Sequence, residues 1–138
     1  MRDQALSSLE RTFGPLLNQL KADQVKDMNM DRSEINDNKI RALGPILANS
    51  KTLKKISFRK NKITDKGVEY LCNYLIDSSI EVIDLSSNKI SLKSLTYIKE
   101  FKTKNKNVKH ILLIDNDIPA VKRKRGKEFQ KMGLLLDL

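Results

Sequence analysis

Three stretches of this chain align with one another without a gap. They are Leu53-Lys-Lys-Ile56-Ser-Phe58-Arg-Lys-Asn61-Lys-Ile63, Ile80-Glu-Val-Ile83-Asp-Leu85-Ser-Ser-Asn88-Lys-Ile90 and Val108-Lys-His-Ile111-Leu-Leu113-Ile-Asp-Asn116-Asp-Ile118. Each has apolar residues at positions 1, 4, 6 and 11 and asparagine at position 9. A weaker copy precedes them with Val25, Met28, Met30, Ser33 and Ile35, and successive copies start 28, 27 and 28 residues apart. Such a period constrains the fold more than any single residue does. A unit of this size cannot bury its apolar face alone, so neighbouring units must stack.

Each unit divides into two local structures. Positions 4 and 6 alternate with polar neighbours, the signature of a short half-buried strand. The following half shows helical spacing: Val68, Leu71, Cys72 and Leu75 fall at i, i+3, i+4 and i+7, with Thr64 or Asp65 as the N-cap. Ile40, Leu43 and Leu47 form the equivalent stripe in the first copy, and Leu95, Ile98 and Phe101 in the third. Gly44-Pro45 falls inside the first of these helices and predicts a late start or a bend. Asparagine at position 9 can donate and accept at once, so it suits a turn whose backbone groups would otherwise be stranded. Ser33 at that position does only part of the job, which marks the first copy as a looser end repeat.

The pattern L-x-x-L-x-L-x-x-N-x-I resembles the leucine-rich-repeat family, and the period with helical second halves resembles its ribonuclease-inhibitor-like subtype. The resemblance covers residues 25–118. It implies an α/β, right-handed solenoid, a horseshoe segment of about four repeats with a parallel sheet on the concave face and helices on the convex face. Residues 1–24, with Leu6, Leu9, Phe13, Leu16, Leu17 and Leu20 at helix-like spacing around Gly14-Pro15, predict a helical N-terminal cap. Residues 119–138 predict a basic stretch followed by an apolar end that covers the last repeat.

In this family the outward strand residues often carry partner binding. Here they include Asp31 in the first copy and Lys55, Ser57 and Arg59 in the second. Asp84 and Ser86 follow in the third copy, and Leu112 and Ile114 in the fourth. The row runs from acidic through basic to apolar. Leu112 and Ile114 stand out, since neighbouring exposed apolar residues on a rigid sheet often mark an interface. The alternative is that Leu134–Leu138 folds back over them. Lys122, Arg123, Lys124 and Arg125 form a second candidate, a compact basic patch that suits phosphate contact or nuclear import as well as plain solvation.

Charge sharpens this division. The formal net charge is +10 over 138 residues. Residues 1–48 hold seven basic and seven acidic residues, so the whole excess lies in residues 49–138. That asymmetry suits an acidic partner, nucleic acid or an anionic surface. Aromatic residues are few and fall mostly in repeat-core positions, so base stacking on single strands is poorly supported. Catalytic machinery is equally sparse. The single His110 and the single Cys72, the latter on an inward helix stripe, make neither a triad nor a usual zinc site. No glycine-rich phosphate loop occurs. Asn36-Asp37-Asn38 and Asp115-Asn116-Asp117 resemble fragments of calcium loops without the full pattern.

The sequence therefore predicts a non-enzymatic protein-interaction or scaffold module, with no cofactor or metal and monomeric on its own. The start Met1-Arg2-Asp3-Gln4 precedes no secretory or membrane-spanning apolar run, and one cysteine permits no internal disulfide, so a cytoplasmic site is expected, with nuclear or host-cell delivery as variants. Three settings stay open: a host-directed bacterial effector or protist protein, a subunit of a large eukaryotic assembly (cytoskeletal, ciliary or mitochondrial), and a nucleic-acid or anionic-surface binder using its basic C-terminal part.

Overall fold

Each repeat contributes one three-residue strand, and the strands pair in chain order. In the computed structural model, which describes residues 3–138, β1 (Asp27–Asn29), β2 (Lys55–Ser57), β3 (Val82–Asp84), β4 (His110–Leu112) and β5 (Leu135–Asp137) form one parallel sheet. The register keeps equivalent repeat positions side by side: Met28, Ile56, Ile83, Ile111 and Leu136 form one row. Helices α1 (Gln4–Lys21), α2 (Asp37–Asn49), α3 (Asp65–Tyr74) and α4 (Ser94–Lys104) pack in sequence behind the strands. Helices need about twice the lateral spacing of strands, so the stack curves with its sheet on the inside. The result is the right-handed α/β solenoid that parallel crossovers favour.

The repeat arithmetic accounts for the core. All sixteen residues at positions 1, 4, 6 and 11 of the four copies are buried, Val25 being the most exposed at 7%. The asparagines hold the turns that leave the strands. Asn61 Oδ1 accepts from the Ser33 and Ile35 amides at 2.9 Å each, and its Nδ2 donates to the Met30 and Phe58 carbonyls at 3.0 and 2.9 Å. Asn88 and Asn116 repeat the arrangement, accepting from the Ile63 and Ile90 amides at 3.0 and 2.9 Å. Just before each position 9 the backbone enters the left-handed region: Arg32, Lys60, Ser87 and Asp115 have φ between +52° and +60°. That reversal aims the asparagine side chain inward, under the preceding turn.

A second ladder joins the helix N-termini. Asp37 in the first turn of α2 accepts from the Thr64 amide at 2.9 Å and from its hydroxyl, while Thr64 itself caps α3. One repeat on, Asp65 accepts from the Ser91 amide at 2.9 Å and from the Ser91 and Ser94 hydroxyls. Burial pushes the Asp65 carboxyl up, but these hydrogen bonds and the charge of Lys93 outweigh it and hold it below the usual carboxylate range. Asn36 caps α2, accepting from the Lys39 amide at 3.0 Å, and Asn116 belongs to the first ladder. Both acidic fragments that resemble calcium loops are thus engaged with backbone.

Two expectations need correction. Helix α2 runs unbroken through Gly44-Pro45. Pro45 is exposed, so the carbonyl it frees faces water rather than core. Gly44 is buried, and a Cβ there would come within 2.1 Å of the Tyr74 ring, so glycine is what lets α3 lie against α2. The break in α1 is real and falls at Phe13, ahead of Pro15. The second correction concerns the C-terminal end. It does not fold over Leu112 and Ile114, the alternative weighed above. It adds β5 at the sheet edge, with Leu112 beside Asp137, only 25 residues on. The basic run is likewise ordered as a 3-10 segment, Ala120–Gly126, followed by a short helix α5 (Lys127–Gln130). Residues 1–2, at the head of the expected cap and of the Met1-Arg2 start, lie outside the described residues.

Candidate functional site

The sheet face is where the outward residues gather, and its two halves differ. The N-terminal half carries Asp27, Asp31, Lys55, Arg59 and Asp84 around a shallow groove of about 310 Å³. Two of its carboxylates are already engaged within the chain. Asp31 accepts from the Ser57 hydroxyl at 2.6 Å and from the Arg59 amide at 2.8 Å. Asp84 accepts from the Ser86 amide at 3.0 Å, with Arg59 Nε 3.8 Å away on its other side. Ser57 and Ser86 were expected as contact residues, but both are buried, at 8% and 5% exposure, and offer a partner little surface. Arg59 keeps half of its side chain in solvent, and Asp27 and Lys55 are exposed as well.

The C-terminal half has a different chemistry. Leu135 sits beside His110, Leu112 beside Asp137, and Ile114 follows two residues on. Ile114 and Leu135 are exposed by 49% and 45%, a large fraction for aliphatic side chains on a sheet. His110 Nε2 and Asp137 Oδ2 lie 2.8 Å apart between them, joining β4 to β5 through side chains as well as backbone. Ile114, Leu135 and Leu138 open onto a groove of about 340 Å³ whose other wall is Arg123, Lys124 and Lys127. The structure therefore brings two separately predicted features, the apolar end of the sheet and the basic run, to one place. It brings only part of the basic run. A 3-10 segment repeats every three residues, so Lys124 and Lys127 share a side. Lys122 and Arg125 lie on the next side, where Arg125 Nε is 3.4 Å from Glu128.

Sequence reasoning missed Leu135 as an outward sheet residue, and the approach of the basic run to it, because both depend on β5. Gly126 is the residue that brings the walls together. A Cβ there would lie 2.6 Å from the Leu136 carbonyl, so only glycine lets the 3-10 segment pack against the β5 backbone.

The remaining surfaces offer less. A cleft of about 200 Å³ on the helical side is lined by Glu69, Cys72, Tyr97, Glu100 and Lys104. Its charges are paired: Lys66 reaches Glu69 at 2.9 Å and Lys104 reaches Glu100 at 3.2 Å. The Cys72 thiol is pushed up to about 12 by burial and the nearby Glu100 charge, so it stays protonated and is a packing group, not a nucleophile. Among the described residues no group of His, Cys, Asp and Glu is arranged to hold a metal ion, and no helix is long and apolar enough to cross a membrane.

Comparisons with known proteins agree with the geometry. The family profile described as "Leucine Rich repeat" matches residues 49–72, which contain the second strand and most of its helix. The Drosophila melanogaster "Protein Cep78 homolog" is 33% identical over 76 residues, 53% of this chain but 9% of that protein, so the chain spans about a tenth of the length of this relative. Among solved structures, "Leiomodin-1 Actin-Binding Site 2 (ABS2)" superposes with a TM-score of 0.73 at 17% identity, covering 90% of this chain and 76% of that one. The tropomodulin C-terminal domain of Caenorhabditis elegans superposes with a TM-score of 0.66 at 18% identity, covering 87% of this chain and 72% of that one. The repeat, the profile and the superpositions define the fold: a leucine-rich-repeat solenoid.

Proposed function

We propose that this chain is a recruitment module that holds a protein partner against its sheet face, within a larger assembly of cytoskeletal type. The observation that supports it is the pair Ile114 and Leu135, each about half exposed on a sheet fixed from behind by the asparagine ladder. A rigid apolar patch loses little conformational entropy on binding, so its burial converts efficiently into affinity. The setting is supported by the neighbour titled as an actin-binding site and by the animal source of the named relatives. Both favour the assembly setting over a host-directed effector. The period and the helical second halves support the ribonuclease-inhibitor-like subtype.

The test compares proteins captured by the wild-type chain with those captured by Arg59→Glu and Leu112→Asp variants, all confirmed folded, with purified actin assayed alongside. A defined partner that survives high salt and is lost with either variant supports the reading. Capture unchanged by both variants overturns it. The second reading, an anionic-surface binder, is favoured by the unneutralised lysines at the C-terminal end. It requires nucleic-acid binding that falls steeply with salt and ignores Leu112→Asp.

A further inference from the structure

The two walls of the C-terminal groove differ in kind, and that difference says what fits between them. One wall is aliphatic: Ile114 and Leu135, with Leu138 beside them. The other is cationic. Between residues 119 and 131 the chain has six basic residues, Lys122, Arg123, Lys124, Arg125, Lys127 and Lys131, against one acidic residue, Glu128. Glu128 lies against Arg125, on the side turned from the groove. Among the described residues no carboxylate lies within ion-pair distance of Lys124 or Lys127. Asp137 is the acidic residue lining the groove, and it is held by His110 at 2.8 Å. The N-terminal half of the face differs, since Asp31 and Asp84 already accept hydrogen bonds from backbone amides and Asp84 also lies 3.8 Å from Arg59 Nε.

We infer that this groove takes an acidic amphipathic segment of a partner protein, one aliphatic or aromatic side chain seated against Ile114 and Leu135 and flanking carboxylates against Lys124 and Lys127. This deepens the sheet-face reading and rests on it. The volume, about 340 Å³, is at the low end of the roughly 300–1,000 Å³ typical of ligand pockets and matches one or two side chains, not a folded surface. A purely polar anion such as nucleic acid leaves the aliphatic wall wet. A neutral apolar segment leaves the lysines without partners. Only a segment with both features covers both walls.

The groove also selects by position. Lys124 and Lys127 sit one 3-10 turn apart, so they place two cationic groups in line along one wall. Lys122 and Arg125 point elsewhere and contribute only long-range attraction. The same run thus splits into groove-lining residues, Arg123, Lys124 and Lys127, and a pair, Lys122 and Arg125, that steers the ligand.

The experiment selects ligands for the full chain from a random peptide library displayed on phage, then measures the enriched peptides by fluorescence anisotropy. Sequences with Asp or Glu flanking a Leu, Ile or Phe are expected. Their affinity should fall about tenfold or more with Ile114→Asp and with Lys124→Glu plus Lys127→Glu, each a loss of about 1.4 kcal/mol or more. It should change little with Lys122→Glu plus Arg125→Glu at moderate salt. A charge-reversed peptide should regain binding to the Lys124→Glu plus Lys127→Glu protein, which separates lost contact from lost folding. Enrichment of peptides with no acidic residue overturns the proposal, as does binding of acidic peptides that is indifferent to Ile114→Asp. Peptides that depend on Arg59 and not on Ile114 or Lys124 overturn it too, while leaving the sheet-face reading intact.

Discussion

The asparagine ladder makes unequal demands on its three members, and removing each in turn gives an ordering that the hydrogen bonds fix. The relevant quantity is the number of buried backbone groups left with no partner, since each costs about 1–3 kcal/mol while a lost but replaceable bond costs far less. Asn88→Ala strands the Ile63 amide. The carbonyls that Asn88 served keep other donors: Asn61 still reaches Phe58, Asn116 still reaches Leu85, and the Lys60 amide still reaches Ser86 at 3.0 Å. One stranded group predicts a loss of about 2 kcal/mol. Asn61→Ala is worse. It strands the buried Ile35 amide and the Met30 carbonyl, which has no second side-chain donor because position 9 of the first copy is Ser33. The Ser33 amide is lost as well, though it lies nearer water. Two stranded groups predict about 4 kcal/mol. Asn116→Ala frees the Ile90 amide and the Leu113 carbonyl, but both bonds are only part-buried, so solvent can replace the side chain and about 1 kcal/mol is expected. Urea unfolding with the slope checked for constancy measures all three. Equal losses, or the largest loss at Asn116, would show that these residues act through packing or propensity and would refute the counting of stranded groups.

Three further outcomes follow from named contacts. Gly44→Ala places a methyl group 2.1 Å from the Tyr74 ring and should cost about 1–3 kcal/mol, most of it recovered in a Gly44→Ala plus Tyr74→Ala double variant measured by the same unfolding assay. Cys72, with its thiol at about 12, should resist alkylation by iodoacetamide at pH 8 in the folded protein and react at the rate of opening as urea is raised, so fast labelling in native buffer would contradict its burial. Asp65 is held below its ordinary value, so the stability it adds is present above the unfolded carboxyl pKa and lost as pH falls through the folded one. Asp65→Ala should cost about 2 kcal/mol at neutral pH and progressively less under acid, and a cost that does not change with pH would remove the carboxylate from the account.

The sequence was most legible where one residue serves one repeat. Positions 1, 4, 6 and 11 lie in the core because each needs only its own strand and its neighbour. Asn61 was legible as a turn residue because an amide that both donates and accepts is what such a turn lacks. Legibility failed where geometry depends on two distant segments. β5 pairs with β4 after a step of 25 residues, and Gly133 stands where position 1 of the repeat is apolar, so the repeat count does not reveal it. Without β5, Leu135 has no place on the sheet, and Lys124 has no reason to lie near Ile114. Ser57 shows the same limit at smaller scale. Alternation puts it outward, and it is outward, but Asp31 from the previous repeat closes over its hydroxyl and leaves it buried. Gly44-Pro45 failed for another reason: a proline penalty applies to carbonyls that lack water, and Pro45 faces water.

The division of the sheet face into a satisfied half and an unsatisfied half has an energetic consequence for binding. Carboxylates already engaged within the molecule must give up those bonds before they serve a partner, so Asp31 and Asp84 yield little net affinity. Ile114, Leu135, Lys124 and Lys127 carry no such debt, since the two aliphatic side chains are about half exposed and, among the described residues, no carboxylate lies within ion-pair distance of the two lysines. Affinity should therefore concentrate at the C-terminal end, with the charged half acting against wrong partners by placing carboxylates where an acidic ligand would otherwise slide along the sheet. Salt then separates the two contributions. Screening slows the approach of an acidic ligand, while the contact with Ile114 and Leu135 governs how long it stays. A partner whose dissociation rate rises with Ile114→Asp, and whose association rate rather than dissociation rate falls with salt, is using the face in the way its chemistry dictates.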